Sequence, residues 1–420
     1  MNDNQHIPSG YKPSPIGIIP EDWEVKSIKD VSTIKGRIGY RGYTTDDIVN
    51  DGDGAISLSP SNIVDGKLQF NSVTRITWEK YYESPEIMLC NGDIVMVKTG
   101  SSFGKVAFVD NLPQEATINP QFVIINNIKC DNKWLCYLFD SDCIQKNVHK
   151  IVVGGAIPTM SQEEIANFRI AVPPLPEQQR IVSVLSLWDT AIAKQTALIE
   201  KLTLRKRGLM QQLLTGKKRL KGFEGEWKEV RMQDLASFAG GGTPSTKRSD
   251  FWEGTIPWIS SSDLVEDCLT NNESRYITEE AIANSTTQLL PSKSILIVTR
   301  VGVGKVAIAK HPICVSQDFT CLTKYDADTL FLAYSLLLTM KKKKSQSQGT
   351  SIKGISTDEI SKIKLLLPSI EEQKAIASVL VNAVKEIEIQ KQKLAALQEQ
   401  KKGLMQVLLT GKKRIKKQEK

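Results

Sequence analysis

The sequence predicts an α+β protein in which two similar α/β-type domains are separated by two long helices forming an antiparallel coiled coil, the whole being a pseudo-two-fold internal repeat. Three observations predict this. A lysine-rich 16-residue stretch occurs twice, a heptad seam runs through the same place in both halves, and the remaining apolar runs are short and bounded by Gly and Pro, as strands are. A length of 420 residues agrees, because it exceeds what one small domain needs.

The repeat comes first. KRGLMQQLLTGKKRLK at 206–221 recurs as KKGLMQVLLTGKKRIK at 401–416, identical at 13 of 16 positions. The offset of 195 holds back through Gln178/Gln373 to Gly154/Gly349. It becomes 200 at Gly104-Lys105-Val106-Ala107 and Gly304-Lys305-Val306-Ala307, each preceded by Thr99 or Thr299. Near the start of each half it is 204, matching Trp23 and Asp30 to Trp227 and Asp234. A duplication with small insertions explains all three offsets, and the period is too long for a solenoid.

Within each half the elements follow in order. Ser161-Gln-Glu-Glu164 and Ser356-Thr-Asp-Glu359 fit capping boxes, so a short helix starts at each. Apolar runs at 168–172 and 363–367 read as strands. Pro173, Pro174, Pro176 and Pro368 block helix from upstream, so the long helices begin after them, over 177–214 and 372–409. The first spans about 57 Å at 1.5 Å per residue. Its seam reads Ile181, Leu185, Trp188, Ile192, Gln195, Ile199, Leu202, Lys206, Leu209, Leu213. Adding 195 gives Ile376, Leu380, Ala383, Ile387, Gln390, Leu394, Leu397, Lys401, Leu404, Leu408, with the polar interruptions preserved. Gly216 and Gly411 suit C′ positions, and the Lys-Lys-Arg after each suits the negative helix end. A small domain cannot cover a stripe this long, so the two helices are expected to bury their seams on each other. The alternative is that each lies along its own domain.

Composition narrows the function. No apolar run approaches the roughly 20 residues that span a bilayer. The longest, Leu330 to Met340, stops at Lys341–Lys344 and reads as a buried helix end. MNDNQHIPSG lacks the basic and apolar segments of a signal peptide, so a cytoplasmic location is expected. The seven cysteines (90, 130, 136, 143, 268, 314, 321) include no CxxC pair, and His6, His149 and His311 are not helically spaced. Neither a disulfide framework nor a metal site is predicted. The net charge of +8 is uneven. Residues 177–221 hold 10 Lys/Arg against 3 Asp/Glu and residues 371–420 hold 12 against 6, so the rest of the chain is slightly acidic. A basic balance favours nucleic-acid partners, with contacts drawn from local patches.

The chain resembles the specificity subunits of type I restriction–modification systems along nearly its whole length. The resemblance is carried by IGIIPEDWEVKSIKDV, GGGTPSTKRSDFWEGTIPWISSSDL at 240–264, SQGTSIKGISTDEISKIKLLLPSIEEQ at 347–373, PPLPEQQRIVSVL and both GLMQxLLTGK endings, in doubled order. It implies target-recognition domains over 1–175 and 222–368, each reading half of a split DNA site, and spacer helices over 176–221 and 369–420. It further implies partners: double-stranded DNA, two DNA-adenine methyltransferase subunits and restriction/translocase subunits. Catalysis, AdoMet, ATP and Mg²⁺ would belong to those partners. This chain is expected to be a non-catalytic, DNA-associated protein of a prokaryotic cytoplasm that binds no cofactor or metal. The first half departs from the pattern: GGAIPTMSQ stands where the second has GTSIKGIST, and no GGTPS follows Ser32.

The site candidates have structural alternatives. Asn119-Pro-Gln-Phe122 approaches an amino-methyltransferase signature, but its counterpart Ser316-Gln-Asp-Phe319 lacks it; both phenylalanines read as core strand. Gly100–Lys105 and Val301–Lys305 resemble a P-loop only superficially, since Val106 and Val306 replace the Mg²⁺-holding hydroxyl. They read either as glycine turns between strands or as DNA contacts through Lys98, Lys105, Arg300 and Lys305. Gly240–Arg248, with Thr243, Ser245, Lys247 and Arg248, is a candidate phosphate cradle. Arg37 and Arg41, interleaved with Tyr40 and Tyr43, suit guanine recognition or a solvated loop. Lys341 and Lys342 open a charge run that is either solvated or a phosphate clamp. Two rival functions remain: a coiled-coil scaffold binding only proteins, and an enzyme acting on DNA alone, for which no catalytic constellation is found.

Overall fold

A computed structural model describes residues 7–50, 52–150, 158–265, 269–346 and 354–415. Gly154, Gly349, Cys268 and the polar stretch after Gln346 lie outside the described residues. The chain divides into two compact units, residues 1–195 with 393–420, and residues 196–392. Each unit therefore contains one domain, the beginning of one long helix and the end of the other. The compact units cut through both long helices.

The long helices are Leu175–Leu213 and Ile370–Leu408. Both start two residues earlier than the prolines suggested. Pro176 sits in the first turn, where its missing N–H leaves no intrahelical bond unmade. In the second helix, the Ser369 hydroxyl accepts from the Glu372 amide and supplies the cap. Both helices end as predicted, with Gly216 and Gly411 left-handed at φ +70° and +71°. Matching bonds close the ends, Lys218 N–H to Gln212 and Lys413 N–H to Val407.

The seam is buried inside each unit. In the first, Ile181 and Leu185 pack with Met405, Leu408 and Leu409. In the second, Met210, Leu213 and Leu214 pack with Ile376, Ala377 and Leu380. Leu202 and Ile387 are buried, whereas Trp188, Ile192, Ile199, Leu394 and Leu397 are half-buried. Ion pairs fix the direction. Glu177 pairs with Arg414 and Asp189 with Lys401 in the first unit; Arg205 pairs with Glu386 and Arg219 with Glu372 in the second. One number rises as its partner's falls, so the helix segments run antiparallel in each unit. The rival arrangement also holds in part. Ile181 and Leu185 share their cluster with Ile28, Trp134 and Leu138 of the domain, so the helix starts are domain core as well as coiled coil.

Each domain has the same plan. An antiparallel four-stranded sheet runs, in the first unit, through strands Val106–Phe108, Ile94–Val97, Phe122–Asn126 and Thr33–Lys35. Its counterpart runs through Val306–Ile308, Ile295–Val298, Phe319–Tyr325 and Ala236–Gly240. The central strands are buried on both faces, and Phe122 and Phe319 lie in the core. A second, mixed sheet places Ala116–Ile118 parallel to Ala55–Leu58 in the first unit, and Cys314–Val315 parallel to Ile256–Ile259 in the second. The capping-box helices form at Gln162–Ala166 and Thr357–Ser361, with both reciprocal bonds made. The strands after them, Arg169–Val172 and Lys364–Leu367, pair with Glu24–Ser27 and Lys228–Arg231. Leu330–Met340 falls inside helix Thr329–Gln346. The N-terminal hairpin of the first unit, Tyr11–Ser14 with Gly17–Pro20, has no counterpart among the described residues of the second. None of the described helices is long and apolar enough to cross a membrane.

Candidate nucleic-acid interface

The glycine segments are turns between strands, 97–105 and 298–305, closed alike. The Val97 amide bonds the Lys105 carbonyl at 2.8 Å, and the Val298 amide bonds the Lys305 carbonyl at 3.0 Å. Hydrogen bonds correct the alignment by one residue: Lys98, not Thr99, matches Thr299. The amides of Lys98 and Thr299 donate to Gln121 and Asp318, and their carbonyls accept from Met160 and Ile355. Phe103 and Val303 both turn inward to the core. Between these fixed points the first turn carries Thr99-Gly100-Ser101-Ser102 and the second Arg300-Val301-Gly302. Arg300 and Lys105 are exposed and Lys98 is half-buried. Lys305 is not a free cation. Its ammonium donates to the carbonyls of Ser261 (3.2 Å) and Leu264 (2.9 Å), which makes it a strut under the turn rather than a DNA contact.

Arg37 is likewise corrected. It is buried, and its guanidinium donates to the Ile118 carbonyl (3.2 Å), the Arg41 carbonyl (3.1 Å) and the Thr117 hydroxyl (3.3 Å). Burial pulls its pKa below the ordinary arginine value, opposed by Tyr43 and Glu86. A side chain so enclosed cannot meet a base edge. Arg41 is half-buried and donates to the Glu83 carbonyl at 3.1 Å, with Glu86 at 3.5 Å.

In the Gly240–Arg248 segment the glycines serve packing. A Cβ on Gly241 would stand 2.2 Å from the Ser316 carbonyl oxygen, and one on Gly242 would stand 2.5 Å from the Thr287 amide. The Gly242 carbonyl accepts from Trp258 and Thr287. Beyond it Thr243, Ser245, Lys247 and Arg248 are exposed. Thr243 bonds Gln317, and Arg248 pairs with Asp250 and Glu280, which hold its pKa up.

Lys341 and Lys342 line a cleft of about 210 Å³ with Arg207 of the first long helix. The first unit has a counterpart that the sequence reading missed. Lys146, Lys150 and Lys412 line a cleft of about 360 Å³ beside Asp142, whose carboxylate accepts from Gln406 at 2.9 Å. The available signal was the i, i+4 lysine pair on helix Asp142–Lys150. Also missed were the roles of Arg219 and Arg414. Read as generic helix-end cations, they form two-point ion pairs with the buried Glu372 and Glu177.

Across each unit, then, the candidates fall into separate patches: the glycine turn, the loop at the strand end and the helix-end cleft. Among the described residues no group of three or more His, Cys, Asp and Glu is placed to hold a metal ion.

Comparisons with known proteins agree with this architecture. The family profile described as the type I restriction modification DNA specificity domain matches twice, at residues 20–204 and 224–399. A putative type I restriction enzyme specificity subunit, MjaX, of Methanocaldococcus jannaschii is 27% identical over 97% of both chains. The EcoR124I/EcoR124II specificity subunit of Escherichia coli is 32% identical over 53% of this chain and 56% of its own. A chain from a structural study of type I R-M complex assembly and conformational transition shares the fold with a TM-score of 0.63, at 18% identity, over 94% of this chain and 99% of its own. The type I S subunit from M. genitalium does so with a TM-score of 0.51, at 14% identity, over 92% and 96%. With both halves matched by the profile, this chain belongs to the DNA specificity subunits of type I restriction–modification systems.

Proposed function

We propose that this chain is the non-catalytic subunit that chooses the target of a type I complex, reading a bipartite DNA site with one domain per half-site. The observation that carries the reading is a repeated scaffold with unlike surfaces: the same four-stranded antiparallel sheet and the same turn closures recur in both units, while the loops at the strand ends differ. Exposed Lys105, Lys247 and Lys342 supply phosphate contacts and exposed Arg300 a further DNA contact, with Lys98, Arg41, Thr243, Ser245, Arg248 and Lys341 as additional candidates. Affinity then falls steeply with salt, whereas groove contacts choose the sequence. The long helices set the distance between half-sites, which favours readers spaced near whole turns of about 34 Å.

The same helices would dock the methyltransferase subunits, and restriction subunits would join that assembly. Leu187, Leu204 and Ile389 support docking, being 70%, 62% and 60% exposed although apolar. AdoMet, ATP and Mg²⁺ would reside on those partners. Selection from a randomised duplex library, with the methyltransferase subunit present, tests the reading. The expected result is enrichment of two short motifs at a fixed separation. Recovery of no motif would favour a protein-only scaffold.

A further inference from the structure

We propose that the two glycine turns are base-reading tips, and that Arg300 and Val301 read the second half-site. This rests on the bipartite reading above. The turns share every fixed point: closure to Lys105 or Lys305, the anchors on Gln121 or Asp318, the buttress from Met160 or Ile355, and the inward Phe103 or Val303. Apart from the Lys305 ammonium, which bonds Ser261 and Leu264 where Lys105 is exposed, what differs is confined to the tip. A scaffold repeated while its tip diverges is the arrangement expected of an element whose tip sets sequence choice.

The second tip has the chemistry for this task. Val301 is 71% exposed, the most exposed large apolar side chain among the described residues. Arg300 beside it is exposed. The backbone beneath them is stiff. Lys305 ties the turn to Ser261 and Leu264, and a Cβ on Gly354 would lie 3.0 Å from the Thr299 carbonyl oxygen, so the neighbouring loop is packed hard against the turn. Positive φ at Gly302 (+85°) and Gly304 (+105°) lets the chain reverse tightly enough to project two adjacent side chains. In the major groove an arginine pairs with guanine O6 and N7, and an apolar group meets the thymine methyl. Arg300 and Val301 thus fit a G·C pair next to a T·A pair. The first tip offers Ser101, exposed and uncharged, in the equivalent place, so it reads a different half-site.

The test expresses the full chain with its methyltransferase subunit in a host without other DNA methylation and maps methylated sites genome-wide. Val301→Ser removes both methyl groups at an exposed position. It is expected to relax one base pair of one half-motif by about tenfold and leave the other half unchanged. Ser101→Val is expected to alter the opposite half only. Unchanged motifs with methylation retained would overturn the assignment of the tips, as would both variants altering the same half. Loss of all methylation in Val301→Ser would also overturn it, because a reading tip changes choice rather than assembly. If the unaltered chain directs no sequence-defined methylation, it is the DNA reading itself that fails.

Discussion

The two units close the same gap in different ways. Beside the central sheet, the Ile118 carbonyl of the first unit and the Val315 carbonyl of the second sit at matching strand ends. Ile118 accepts from the guanidinium of Arg37, and Val315 accepts from the backbone amide of Gly242 at 2.9 Å. In the second unit Gly241 lets the chain come close enough for backbone to meet backbone. In the first, where an arginine stands at that position, its long side chain spans the distance. The helix ends differ similarly. Glu177 accepts from Arg414 and from the Trp23 indole, whereas among the described residues Glu372 accepts only from Arg219 and the matching Trp227 indole N–H has no partner. The comparison teaches that a duplicated fold can satisfy a matching acceptor with a different donor, as at Ile118 and Val315, or leave a matching donor unpaired, as at Trp227. A residue's role therefore follows its place in the unit more than its type.

Three sets of variants break or sharpen the comparison. The largest effect is expected in the seam. Ile387→Asp, at a buried site, should cost about 4 kcal/mol, and Ile192→Asp, half-buried at the equivalent place, about 2 kcal/mol. Calorimetry of the purified chain gives the order, and equal losses would remove the burial difference. Next is the strand-end gap. Gly241→Val forces a side chain onto backbone carbonyls and should cost about 3 kcal/mol; Arg37→Ala strands the buried Ile118 carbonyl and should cost about 2 kcal/mol. If Arg37→Ala instead keeps full stability but weakens DNA binding, the arginine belongs to the interface after all. The smallest effect is at the caps. Ser161→Ala and Ser356→Ala should each cost about 1 kcal/mol. Glu164 and Glu359 are held below the usual carboxylate range by the Ser161 and Ser356 amides, with hydrogen bonds from the same hydroxyls. Their contribution is present above the unfolded pKa and is lost as pH falls through the lower folded value. The serine variants should therefore differ least from the parent in acid.

Much of this was legible in the sequence because it is local. Heptad spacing, the capping boxes and the glycine C′ positions act within a few residues, and the repeat shows each twice. The errors fell where distant strands decide. KGRIGYRGY carries every sign of a solvated loop, yet Arg37 is buried by strand Ala116–Ile118, about 80 residues on. Lys305 is a candidate DNA contact in sequence, but its partners lie in the segment 261–264. The one-residue slip between the turns is invisible to matching glycines and appears only in the hydrogen bonds to Gln121 and Asp318. Val301 stands in a segment that reads from sequence as a glycine turn, and its exposure appears only in the fold.

The measurement that bears most directly on two readers joined by a helical ruler is the insertion of one heptad into both long helices, read by methylation mapping with the methyltransferase subunit present. Seven residues add about 10 Å of helix, or about three base pairs. The account predicts two half-motifs unchanged in sequence and a longer unread spacer between them. Altered half-motifs at the original spacing would contradict it.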